Sequence, residues 1–229
     1  MKRRLFLAML AAALLPSLPA RAAEDLNSVL ARLNRAAQGF RSVSADFKAV
    51  ALMTVPIEDS ETQSGQVYYD HSGKSFKMAA HIHAVNGQPA KKTYVYANGQ
   101  LKLWDGPPVD QVTTLTRLSQ YESWFSLGFG ASGTELQEKW NITYDGDETI
   151  DGVKTAKLDL VAKDPTVRKN LPKVTVWMDT AHGVSLKQVF DEGQGQSRTA
   201  TYSNFKFNER LPSDAFTFKT DKKTQYITR

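Results

Sequence analysis

From Val43 to Val55 every odd-numbered residue is apolar: Val43, Ala45, Phe47, Ala49, Ala51, Met53 and Val55. Ser44, Asp46, Lys48 and Thr54 fall on the other face. Side chains of a strand alternate between faces, so the run predicts one long strand with one face buried. The same period returns in Thr62 to Tyr69 and in Ser75 to Val85, where Phe76, Met78, Ala80, Ile82 and Ala84 align. Lys92 to Ala97 and Leu101 to Trp104 follow, joined by Asn98-Gly99, a pair suited to the positive φ angles of a type I′ hairpin. A second series comprises Trp140 to Tyr144, Lys154 to Ala162 (with Leu158 and Leu160 aligned), Lys173 to Met178 (with Val174 and Val176), Val184 to Phe190 and Arg198 to Phe207. Turns at Asp145-Gly146, Asp151-Gly152 and His182-Gly183 divide it as an antiparallel meander would.

Only two stretches read as helical. Leu26, Val29, Leu30, Leu33 and Ala37 recur on one helix face, with Asp25 placed to cap the start and Gly39 to stop it. Between Val112 and Gly128 alternation ceases, and Leu115, Leu118, Tyr121, Trp124 and Phe125 predict one or two short helices ending at the Gly128 to Gly133 segment. The fold class is therefore mainly β with some α: about ten strands in a large, strongly curved antiparallel sheet or open barrel. The inner apolar face of such a sheet must be covered, and the two helical segments are the coverings this pattern offers. A barrel or half-barrel closed in this way can enclose a small-molecule or lipid cavity.

At the N-terminus Lys2, Arg3 and Arg4 precede an apolar run from Leu5 to Leu15. Pro16 and Ala20-Arg21-Ala22 follow, the order of a secretory signal peptide over residues 1–22. The run is well short of the ~20 residues of a membrane-spanning helix. Residues 23–229 then form one domain, since no linker, charge run or repeat divides them. Export also reinterprets the charge. Of 29 Lys and Arg against 24 Asp and Glu, four basic residues lie in the signal, so the net +5 of the chain becomes about +1. That removes the electrostatic footprint of a nucleic-acid binder. With no cysteine, neither disulfides nor an acylated N-terminal cysteine can serve, and the exported domain is expected to be a free monomer in the periplasm.

Chemistry-bearing motifs are absent. His81 and His83 lie two apart on a strand face with Ser75 and Lys77, opposite the apolar file, which predicts solvated rings and no metal. Gly73-Lys74-Ser75 has Tyr68 where a phosphate-binding loop requires glycine. Ser203-Asn204-Phe205-Lys206 fits Ser-x-x-Lys by count but falls in a strand, without companion motifs. Neither an enzyme nor a cofactor is expected.

The order of elements, with Phe40-Arg-Ser-Val-Ser-Ala-Asp-Phe47 after the first helix, Gly65-Gln-Val-Tyr-Tyr69, Val174-Thr-Val-Trp-Met-Asp179 and the closing Asn208-Glu-Arg-Leu-Pro-Ser-Asp-Ala-Phe216-Thr-Phe218, resembles the LolA family of periplasmic lipoprotein carriers. The resemblance spans the mature chain. It implies an eleven-stranded unclosed barrel with a helical lid that binds acyl chains of a lipoprotein or lipid, with an inner-membrane release transporter and an outer-membrane receptor as partners. A regulatory module sensing envelope stress on the same fold is the alternative. The family has a lid-closing arginine after the second strand, and here His71 or Lys74 stands in that stretch. Candidate cavity residues are Phe47, Met53, Val67, Tyr69, Phe76, Met78, Ile82, Leu118, Trp124, Phe125, Leu158, Leu160, Val174 and Val176. Alternation identifies the apolar face and leaves open whether that face encloses a cavity or a packed core. Met53 and Met78 favour a cavity, because methionine adapts to variable apolar partners.

Overall fold

A computed structural model describes residues 25–71 and 76–229. The expected signal peptide and the Gly73-Lys74-Ser75 stretch, with the latch candidate Lys74, lie outside the described residues. The chain opens with α1 (Leu26–Gly39), capped by the Asp25 carboxylate, which accepts from Ser28 N at 2.8 Å. Its stripe of Val29, Leu30 and Leu33 is buried. Asn208, far along the chain, closes the other end: its amide donates to Gly39 O at 2.9 Å and its oxygen accepts from Arg41 N at 2.8 Å.

Twelve strands follow: β1 (Ser42–Met53), β2 (Asp59–Asp70), β3 (Lys77–Val85), β4 (Gln88–Ala97), β5 (Gln100–Asp105), β6 (Gln111–Leu115), β7 (Trp140–Ile150), β8 (Val153–Ala162), β9 (Lys173–Asp179), β10 (Val184–Gly193), β11 (Gln196–Phe207) and β12 (Gln225–Thr228). They make one sheet in the order β12-β6-β5-β4-β3-β2-β1-β11-β10-β9-β8-β7. Pairing of β1 with both β2 and β11 joins the two halves, and β12 and β7 stay as open edges. The sheet is an unclosed half-barrel. Bulges at Ser44/Asp46, Ser64/Gly65, Ile82/Ala84 and Ser185/Lys187 supply bends of the kind such a curved sheet needs.

Several expectations need correction. Val112 to Leu115 continues the sheet as β6 instead of starting the helical insert. Asp145-Gly146 is a bulge inside β7, where Gly146 has φ +85°, and no chain reversal occurs there. The sheet is mixed, because β12 runs parallel to β6. Two short helices were not foreseen. One is α3 (Gly133–Lys139), opened by a capping box between Ser132 and Glu135; the other is α4 (Pro165–Asn170), capped by Asp164 with proline in its first turn.

Both faces of the sheet are covered. On the inner face α1, α3 and α4 pack over β8 and β9, burying Trp140, Leu158, Leu160, Val167, Leu171, Val174 and Val176. On the outer face the segment after β11 crosses Tyr68, Ala79 and Val95, setting Ala215 at 0% exposure with Leu211, Phe216 and Phe218 beside it. Here the solvated reading of His81 fails. Its ring lies edge-on to Tyr68, and Nε2 is 2.8 Å from Ala215 O. His83 is exposed, as expected. Among the described residues no group of three or more His, Cys, Asp or Glu is placed to hold a metal ion, and no helix is long and apolar enough to cross a membrane.

Candidate functional site: the lidded inner face

The helical insert is a lid made of a 3-10 turn (Ser119–Tyr121), α2 (Glu122–Phe125) and the segment 126–132. The sequence lays it down closely because glycines line its path. A Cβ on Gly128, which has φ +79°, would come within 2.5 Å of Gln188 Nε2 and 2.6 Å of Ser185 Cβ, and one on Gly133 within 2.4 Å of the Leu30 carbonyl oxygen. Backbone bonds then tie the lid to the start of β10: Ser185 N donates to Gly128 O at 2.7 Å and Gly130 N to Gly183 O at 2.9 Å. Leu118 N donates to Gly99 O at 2.9 Å on the other side.

Aromatic rings of the sheet and of the lid itself run in one file, Phe129, Phe125 and Trp124 being contributed by the lid. Tyr202 meets Phe129 edge-on at 4.9 Å, and Phe129 stacks on Tyr69 at 3.9 Å with 8° between the rings. The file continues through Phe76, Tyr96, Phe125 and Trp124 to Phe190, with neighbouring centroids 4.4–6.2 Å apart. Burial pushes the Tyr69 and Tyr202 hydroxyls well up, so both stay protonated.

Of the residues singled out in the sequence, Phe47, Val67, Tyr69, Phe76, Met78, Leu118 and Phe125 come together in one apolar cluster around this file. Trp124, Leu158, Leu160, Val174 and Val176 join the neighbouring cluster under α1, α3 and α4. Ile82 is buried and Met53 half-buried, both outside these two clusters. A 690 Å³ cleft lies at the mouth of the lidded interior, between the lid, α3 and α4; Glu122, Glu135, Lys139 and Asp164 line it together with His71, Phe76, Leu136, Trp140 and Val167.

His71 stands at that mouth. Its ring is 5.5 Å from Phe40 and 5.0 Å from Phe76, and its buried Nε2 has no hydrogen-bond partner among the described residues. Burial lowers its pKa, opposed by the Phe129 backbone in the lid and by Glu135, Asp70 and Glu122.

The side chains that tie lid to sheet were not apparent in the sequence. Gln188, 2% exposed on β10, donates through Nε2 to Leu127 O at 2.7 Å, and its Oε1 accepts from Tyr202 OH at 2.9 Å. Tyr96 OH donates to Glu122 Oε2 at 3.2 Å, and Asn170 Nδ2 to Tyr121 OH at 3.0 Å. One signal was present: Gln188 interrupts an otherwise apolar file of Val184, Leu186 and Phe190.

An open sheet with an apolar inner face, one long N-terminal helix and a mid-chain lid is the architecture that the resemblance in sequence implies. No protein-family model matches the chain. In sequence, 109 residues are 28% identical to an uncharacterized protein of Methanocaldococcus jannaschii, a match taking in 48% of this chain and 30% of that protein. The chain thus spans under a third of that relative's length. Among solved structures, an uncharacterized conserved protein from Thermus thermophilus superposes with a TM-score of 0.51 at 11% identity, over 89% of this chain and 98% of the other. MucB gives 0.51 at 12% identity over 88% of this chain and 65% of its own. A LolA superfamily protein from Nitrosomonas europaea gives 0.40 at 15% identity, over 85% and 98%. These likenesses concern fold.

Proposed function

We propose that the protein is a non-enzymatic periplasmic carrier, binding acyl chains of lipoproteins or lipids on its inner face and releasing them towards the outer membrane. One observation carries the reading: two neighbouring apolar clusters extend the inner surface across both halves of an open sheet, with Gln188 between them, and its middle is covered by a segment held through a few separate hydrogen bonds instead of strand pairing along its length. A lid of that kind can lift while the sheet stays intact. The rings and methionine beneath it can re-pack around a chain of variable length.

The energetics require such a shelter. At about 0.8 kcal/mol per methylene, an acyl chain of roughly 14 methylenes costs on the order of 11 kcal/mol to expose to water. Native mass spectrometry of the mature protein, purified from the periplasm without detergent, tests the proposal. Co-purified acylated protein or phospholipid supports it and names the cargo class. A clean apo mass, with no uptake of a fluorescent fatty acyl probe, would overturn it in favour of a module that recognises a protein partner.

A further inference from the structure

We propose that Gln188 and Tyr202 are a carbonyl-binding pair: with the lid raised, they take the ester or amide carbonyl that joins the cargo's acyl chain to its head group. The proposal rests on the acyl-carrier reading and adds a polar specificity element to its apolar site. Gln188 sits at the middle of the inner face, between Leu186 of one apolar cluster and Phe190 of the other. Its neighbours across the sheet are Val176 on β9 and Ala200 on β11, both buried. Packing alone would be served by methionine or leucine, so an amide here requires a partner for each end.

One partner is permanent and the other is not. Oε1 accepts from Tyr202 OH at 2.9 Å, within the sheet. That bond fixes the amide orientation and polarises it, strengthening Nε2 as a donor. Nε2 donates at 2.7 Å to the Leu127 carbonyl, which belongs to the lid. Lifting the lid removes the acceptor, and cargo hydrocarbon laid over the site in its place leaves that N–H unpaired, a state proteins avoid. A methylene chain cannot repair it. The carbonyl at the head of an acyl chain can, since it offers the same acceptor as the peptide carbonyl it replaces. With the carbonyl on Gln188 and the lid raised, the chain can run over the rings that stay with the sheet, Tyr202, Tyr69, Phe76 and Tyr96. Lid opening and cargo capture then become an exchange of one carbonyl for another at a single donor.

The test compares a hexadecanoyl ester of glycerol with the matched hexadecyl ether, each competing with a fluorescent fatty acyl probe for the mature protein. The wild type is expected to prefer the ester by about tenfold, the scale of one neutral hydrogen bond. Gln188→Met should erase the preference while holding or raising ether affinity, because the lid is loosened for both ligands alike. Tyr202→Phe should reduce the preference in part. If the wild type binds both equally, or if Gln188→Met keeps the full preference, the pair only clasps the lid and the proposal falls while the carrier reading stands. If neither ligand displaces the probe and the probe itself fails to bind, the carrier reading falls and takes the proposal with it. A wild type without preference overturns the proposal by itself, and if Gln188→Met does not fold, Tyr202→Phe, which removes only a hydroxyl, decides whether the preference belongs to the pair.

Discussion

His71 on the inner side of the sheet and His81 on the outer side share one electrostatic situation. In each, burial is the leading influence and holds the imidazole below its ordinary value of 6.5. The unfolded chain therefore takes up protons first as pH falls, so these two groups favour the folded state fully above about pH 6.5 and progressively less below it. Asp46 acts in the same direction at lower pH: hydrogen bonds from Asn204 and then Gln66 hold its carboxyl below 3.8, and their contribution is lost only as pH drops beneath that value. Denaturant midpoints measured from pH 8 to pH 5 should fall at the acidic end. A His71→Asn, His81→Asn double variant should flatten that slope. An unchanged slope in the variant would assign the acid sensitivity elsewhere. His81 also shows where single-residue reading stops: its neighbours along β3 mark a polar face, and only the returning C-terminal segment turns that face into an interior.

Elements were legible in proportion to how local their determinants are. Asn98-Gly99 and Asp151-Gly152 have positive φ at both residues and do connect the hairpins their sequences predict. The first helix announces itself through its cap and stripe. By contrast α3 and α4, of seven and six residues, are too short to show a stripe, and their evidence lies in the cap residues Ser132, Glu135, Asp164 and Pro165. β12 is set by pairing with β6, more than a hundred residues earlier, which no local pattern encodes. The apolar inner face could be read from alternation, while the Gln188–Tyr202 pair depends on a contact between two strands and a lid loop. The role of the cap in α3 gives a direct prediction. Ser132 Oγ accepts from Glu135 N at 3.1 Å, and the Glu135 carboxylate accepts from Ser132 N at 2.8 Å. Ser132→Ala should lower unfolding stability by about 1 kcal/mol, read from equilibrium denaturation. Because α3 borders the cleft at the lid mouth, the same variant should exchange acyl probe faster than the wild type. Probe exchange at the wild-type rate would show that α3 plays no part in controlling entry.

At the scale of the molecule, one sheet from the β12 edge to the β7 edge supports two kinds of covering with different attachments. β1 is paired along its length on both sides, and its amides should exchange only when the domain unfolds. The lid backbone is tied at separate points, through Leu118 N to Gly99 O, Gly130 N to Gly183 O and Ser185 N to Gly128 O. Breaking these bonds need not unpair a strand along its length, and the proposed carrier mechanism requires such an opening well below the global unfolding free energy. Hydrogen exchange resolved by residue should place the Gly130 and Leu118 amides roughly 2 kcal/mol or more below those of Phe47 and Val67 in opening free energy. Saturation with an acyl probe should then shift lid amides while leaving the β1 and β2 amides as they were. Lid amides that exchange only by global unfolding would mean the aromatic file is a permanent core. The inner face would then have no route for cargo, and binding would have to be sought on the outer surface or the open edges.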